Sequence, residues 1–130
     1  MARGTNKRVL VIDDASLVRL YYRAALEAAG FEVAEALNGL EALEQLLATP
    51  FDLMIVDVNM PQMDGLSFLR AVRAKSLPLA ATPALVTTSE TAPQRVGAAR
   101  AAGANFYLVK PLTPETLAKY AALLCGVRNE

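Results

Sequence analysis

The 130-residue chain predicts an α/β domain, a doubly wound parallel sheet with helices on both faces. Three observations carry this. Short apolar runs alternate with amphipathic helical stretches five times over. Four of the five runs are almost uninterrupted in apolar residues, as strands covered on both sides require. The connections are short, so each run can return beside a neighbouring strand through one helix.

The expected strands are Arg8–Ile12, Glu32–Ala36, 53–56, 84–87 and Phe106–Val109. In the first helix Leu17, Leu20, Tyr21, Ala24, Ala25 and Ala28 recur at steps of three and four and are expected to face the core, with Gly30 as the stop. Asn38 opens the second helix with Glu41 three residues on, a capping-box variant, and Leu40, Leu43 and Leu47 mark its apolar stripe. Asp64 is placed to cap a third helix marked by Leu66, Leu69 and Val72. Val96 and Ala99 mark a weak fourth helix that stops at Gly103. Thr113-Pro114-Glu115 opens the fifth with a cap, a first-turn proline and an acid facing the helix dipole, and Leu117, Tyr120, Ala121 and Leu124 follow as its core face. Residues 75–83, with two prolines, read as a loop.

Composition narrows the function. Apolar residues make up 54 % and charged ones 20 %, which suits one soluble globular domain spanning 1–130 with a core from about residue 7 to 125 and no output domain. Thirteen basic residues balance thirteen acidic ones, so no global field points to nucleic acid or a membrane surface. No stretch approaches the roughly 20 apolar residues of a membrane span, and nothing resembles a targeting signal. The absence of histidine excludes imidazole zinc sites and Ser-His or Cys-His catalysis. Cys125, the single cysteine, cannot form an intramolecular disulfide and reads as a small buried hydrophobe. A cytoplasmic location is expected.

In an open parallel sheet ligands gather at the carboxyl ends of the strands. Asp13 and Asp14 follow the first strand, Asp57 the third, Thr87, Thr88 and Ser89 the fourth, and Lys110 and Pro111 the fifth. Three carboxylates against one lysine are unbalanced, and adjacent like charges repel. An oxygen-loving divalent cation such as magnesium would offset that repulsion. The plainer alternative makes one of the two adjacent aspartates a helix cap and the other a solvated charge.

Four stretches in order, VLVIDDAS, MIVDVNMPQMDG, ALVTTSE and FYLVKP, each at a strand end, resemble the receiver domain of two-component response regulators. The likeness runs from residue 9 to the fifth helix. It implies a flavodoxin-like five-stranded sheet in the order 2-1-3-4-5 with five helices. It further implies that Asp57 is the phosphoacceptor. Asp13, Asp14, Asp57 and the backbone carbonyl of Asn59 would hold Mg2+ or Mn2+, and Lys110, before a cis proline, would bind phosphate. Thr88, selected over Thr87 by its spacing from Lys110, would supply the switch hydroxyl, and Tyr107 would be the aromatic that moves with it. Asn59 and Glu90 would overhang the acyl phosphate and control water access.

The same resemblance implies a signalling switch rather than an enzyme with its own substrate. Its donor would be a sensor histidine kinase or a phosphotransfer protein. DDAS and YLVKPLTPETL look most like chemotaxis-type receivers, with a flagellar motor switch or a phosphatase as protein partner. A phosphorelay intermediate or a phosphate sink is the alternative within the family. From another class, an aspartyl-phosphate phosphatase of the haloacid dehalogenase type would need an acid two residues after its nucleophile, where this chain has Asn59.

Overall fold

The computed structural model of the chain describes residues 4–60, 63–89 and 93–127. Five strands, β1 (Arg8–Ile12), β2 (Glu32–Ala36), β3 (Leu53–Asp57), β4 (Ala84–Thr88) and β5 (Phe106–Val109), form one sheet. Its order is β2-β1-β3-β4-β5 and every pairing is parallel. The helices are α1 (Ser16–Ala28), α2 (Gly39–Ala48), α3 (Gly65–Arg73), α4 (Pro93–Ala102) and α5 (Pro114–Cys125). The fold class and strand order are those expected.

Strand alternation sorts the core into two layers. Leu10, Ile12, Met54, Val56, Ala84 and Val86 pack beneath α2, α3 and α4, together with Leu46, Phe68, Leu69, Val72 and Ala99. Val9, Val11, Leu53, Ile55 and Leu85 pack beneath α1 and α5, against Tyr22, Leu26, Leu117, Ala121 and Cys125. The central strands β3 and β4 are buried at every position, whereas β2 and β5, at the sheet edges, are only partly covered. Burial pushes the Cys125 thiol up to about 11, so it packs as an uncharged group.

Caps set the helix ends. Asn38 accepts from the Glu41 amide at 2.8 Å, and the Glu41 carboxylate accepts in return from the Leu37 amide at 3.1 Å. Asp64 accepts from the Ser67 amide, and Thr113 from the Thr116 amide. Gly30 and Gly103 take positive φ, 95° and 110°, where the chain leaves α1 and α4.

Several expectations need correction. In α1 the expected core row is largely exposed: Leu17, Leu20 and Tyr21 are 78 %, 61 % and 45 % accessible, and Ala24 and Ala28 face outward too. The buried row is Tyr22 and Leu26, with Val18, Ala25 and Ala29 half-buried beside them. In α2, Leu40 and Leu47 are exposed, and Ala42 and Leu46 hold the core with Leu43. Strands β3 and β4 each extend one residue further, so Asp57 and Thr88 are strand residues and do not merely follow the strands. Residues 75–83 contain a cis Leu77–Pro78 bond and a single 3-10 turn, Leu79–Ala81. The Arg73 guanidinium ties this turn down by donating to the carbonyls of Ala80, Thr82 and Gly103 and to the Asn105 side chain. Among the described residues no helix is long and apolar enough to cross a membrane.

Candidate functional site

The chemistry-bearing residues meet at the carboxyl edge of β1, β3 and β5. Asp13 leaves β1 fully buried, and its placement is set by three contacts. Its amide donates to the Ala36 carbonyl, its carbonyl accepts from Arg19 Nη1 at 2.6 Å, and its Oδ1 accepts from the Ala15 amide at 2.9 Å. Helix α1 starts after Ala15 with no side-chain cap, so neither Asp13 nor Asp14 serves as its N-cap. Asp14 is exposed, and Asp57, the last residue of β3, is buried. Carboxylate oxygens of Asp13, Asp14 and Asp57 lie within 4.8 Å of one another. Lys110 Nζ bridges two of them, donating to Asp13 Oδ2 at 3.0 Å and Asp57 Oδ1 at 3.3 Å.

Burial, and then the charge of Asp13, raise the Asp57 carboxyl above its ordinary value; Lys110 and the Asn59 amide offset only part of this. Burial works against the Lys110 ammonium, but its hydrogen bond to Asp13 and the charges of Asp57 and Asp13 outweigh it and hold its pKa above the usual lysine value. One ammonium among three carboxylates leaves the cluster short of positive charge. An oxygen-only donor set with one exposed member fits a hard divalent cation.

The adjacent threonines point to opposite layers. Thr87 pairs in register with Asp57 and follows Leu85 on the α1/α5 side, and its hydroxyl donates weakly to the Val56 carbonyl at 3.5 Å. Thr88, also buried, follows Val86 on the other side. Tyr107 pairs with Val86 and so lies on the face of Thr88, half-buried against the layer under α2 to α4. The Lys110–Pro111 bond is cis, and the Lys110 amide donates to the Thr88 carbonyl at 2.7 Å. Asn59 is exposed just beyond β3, with its amide on the Asp57 carboxylate. Glu90, expected to overhang the site with Asn59, lies outside the described residues, as does Pro61. At Gly65 a Cβ would lie 2.1 Å from the Asp57 carbonyl, so only glycine lets α3 begin against the end of β3.

The Response regulator receiver domain family matches residues 9–122 of the chain. The chain belongs to that family. This receiver is 40 % identical over 111 residues to the chemotaxis protein CheY of Pseudomonas aeruginosa, covering 85 % of this chain and 89 % of the relative. It is 36 % identical over 124 residues to CheY1 of Helicobacter pylori, covering 94 % and 99 %. The structure of Vibrio cholerae chemotaxis protein CheY4 superposes with a TM-score of 0.84 at 40 % identity, covering 95 % of this chain and 99 % of that one.

Two residues of the receiver's site are not marked by strand-end position. Arg19 binds the Asp13 carbonyl and the Glu35 carboxylate, which fixes the loop that presents both aspartates. Its signal in the sequence is faint: a basic residue one turn into α1, and an acid breaking the apolar pattern of β2. Tyr22, on the same helix, lies within the field of Lys110, Asp13 and Asp57.

Proposed function

We propose that this receiver is a cytoplasmic, chemotaxis-type response regulator that takes a phosphoryl group on Asp57 and changes its protein partner in consequence. The observation that carries the reading is Lys110 bridging Asp13 and Asp57 at the sheet edge, in a chain that spans 99 % of a chemotaxis relative. A carboxylate attacks phosphorus productively only when opposite charge is held beside it. One Asp57 oxygen forms the new O–P bond. The P–N bond of a phosphohistidine donor, or the P–O bond of an acyl phosphate, breaks, and the departing group carries away the electron pair. Lys110 donates to the transferred oxygens as Asp57 gives up its negative charge.

Asp13, Asp14, Asp57 and the Asn59 carbonyl would hold magnesium, which supplies further neutralisation of phosphoryl charge. Magnesium is therefore expected to raise the melting temperature of the metal-free receiver by roughly 10 °C, the equivalent of about 2.7 kcal/mol at a hundredfold excess over its dissociation constant. Asp13→Ala or Asp14→Ala should diminish that rise. A melting temperature indifferent to millimolar magnesium would argue against the metal site.

The acyl phosphate brings about −2 charge and new acceptor oxygens to a buried edge. The Thr88 hydroxyl is suited to donate to one of them and, in moving, to vacate space for Tyr107 on the same face. The surface that changes is then α4, β5 and α5, the face offered to a flagellar motor switch or a phosphatase. Thr88→Ala is expected to accept phosphate yet lose most phosphorylation-dependent partner binding, roughly tenfold, the scale of one charge-assisted hydrogen bond. Thr87→Ala should lose much less once fully phosphorylated. The reverse ranking, read by titrating the partner against phosphorylated variants, would assign the switch to Thr87.

A further inference from the structure

Asp14 is the odd member of the carboxylate cluster. Asp13 and Asp57 are buried and held by Lys110, whereas Asp14 is exposed and its carboxylate takes no hydrogen bond among the described residues. Its oxygens nevertheless lie within 4.8 Å of the other two carboxylates, which repel it. An exposed, unbonded side chain on a loop would relieve that repulsion by swinging into water. Its direction is therefore set by the backbone it hangs from, the peptide joining Asp13 to Asp14.

That peptide is gripped from the edge of the sheet. Arg19 donates from Nη1 to the Asp13 carbonyl at 2.6 Å and from Nε to Glu35 Oε1 at 3.0 Å. One planar fork spans both acceptors, which a single ammonium could not do. Glu35 is anchored in turn, by Arg23 on its other carboxylate oxygen and by Gln45 Nε2 on its carbonyl at 2.7 Å. The next residue of β2, Ala36, accepts from the Asp13 amide at 3.1 Å. Two consecutive residues of β2 thus hold Asp13 on both sides, the amide directly and the carbonyl through Arg19. Docking α1 on β2 does not by itself require this grip. Arg23 already ties the helix to Glu35 and, at 2.9 Å, to the Val33 carbonyl, and among the described residues it bonds nothing in the loop.

We propose that Arg19 and Glu35 are positioning residues of the metal site: the guanidinium, braced on Glu35, holds the Asp13–Asp14 peptide so that the Asp14 carboxylate stays beside Asp13 and Asp57. The inference rests on the magnesium site of the proposed function and deepens it. Groups behind metal ligands set affinity by fixing ligand direction, and losing one costs on the order of 10–100-fold.

The test follows backbone amide shifts of the metal-free receiver through a magnesium titration, which gives a dissociation constant without any phosphoryl transfer. Urea unfolding in chelator is measured beside it. Arg19→Ala should raise the magnesium constant roughly tenfold, and Glu35→Ala roughly threefold, since Arg19 then keeps the carbonyl but loses its brace. Arg19→Lys, able to reach one acceptor and not both, should fall between wild type and Arg19→Ala. Glu35→Gln keeps an acceptor for Arg19 and should bind within about twofold of wild type. Arg23→Ala should lose stability in urea, as Arg19→Ala does, yet also bind magnesium within about twofold of wild type. A wild-type constant in Arg19→Ala and Arg19→Lys, or one raised as far in Arg23→Ala as in Arg19→Ala, would make the arginine a helix pin and overturn the positioning role. Should Arg19→Ala fail to fold, Glu35→Ala against Glu35→Gln decides, and equal constants overturn it. No magnesium-dependent shift in the wild type would overturn the metal site itself, and the inference with it.

Discussion

Asp57→Asn is expected to take up no detectable phosphate from acetyl phosphate or a histidine kinase while remaining at least as stable as wild type in metal-free buffer. Both halves follow from the same geometry. The amide has the shape of the carboxylate but is not a nucleophile at neutral pH. The carboxylate it replaces is buried beside Asp13, and its carboxyl titrates above the ordinary value because of burial first and Asp13 second. A raised carboxyl pKa means that the native state holds its proton more tightly than the unfolded chain does. Stability is then lost as pH rises from the unfolded value through the folded one, and at neutral pH the ionised form is a net cost to the fold. The amide removes that cost, and Lys110 keeps its bond to Asp13. The metal-free melting temperature should rise or hold, within about 1 kcal/mol of wild type, and should lose the wild type's decline just above the ordinary carboxyl range. Thermal melts across acid to neutral pH check the second half. A variant clearly less stable at neutral pH would mean that the Lys110 ion pair outweighs burial and repulsion.

Arg73→Ala should damage the fold at the far end of the sheet and leave the site chemistry in place. The guanidinium donates at 2.9 Å to the Ala80 carbonyl, at 2.6 Å to Thr82 and at 2.8 Å to Gly103, and at 3.0 Å to Asn105 Oδ1. Asn105 Oδ1 in turn accepts from the Ala84 amide at 2.8 Å, so one arginine joins the end of α3, the turn before β4 and the turn before β5. Burial lowers the guanidinium pKa without displacing it from the charged form, so the bonds are charge-assisted. Truncation leaves several part-buried carbonyls without their donor, and a loss of about 2–4 kcal/mol is expected. Arg73→Lys should recover only part of it, because one ammonium cannot reach four acceptors in a planar fork. Urea unfolding read at constant m-value checks this, and phosphoryl uptake by the folded fraction should stay near wild type.

The sheet was legible because strands buried on both faces are written as plain apolar runs. VLVI, LMIV and ALV admit little else, and the acids and hydroxyls that end them mark the carboxyl edge. The order 2-1-3-4-5 came from the family resemblance, since apolar runs carry no information about which neighbour they choose. The buried face of α1 was not legible from period alone. Leu17, Leu20, Tyr21, Ala24 and Ala28 repeat at helical spacing, and so do Val18, Tyr22, Ala25, Leu26 and Ala29 one position on. Both rows are apolar, and the choice is made by Arg19 and Arg23, whose pairing with Glu35 on β2 fixes the rotation of the helix. The uncovered row is therefore on the surface. At the site, strand ends located Asp13, Asp57 and Lys110. Arg19 acts from inside a helix, where a charged residue looks like any other member of an amphipathic stripe.

Acyl phosphate mapping tests the function most directly. The metal-free receiver, incubated with acetyl phosphate with and without magnesium, is trapped by borohydride reduction, digested and sequenced by mass spectrometry. One modified residue, Asp57, appearing with magnesium and absent when the metal is chelated, is the expected result. Modification at Asp13, Asp14 or any other residue, or labelling of Asp57 that is indifferent to chelation, would contradict it.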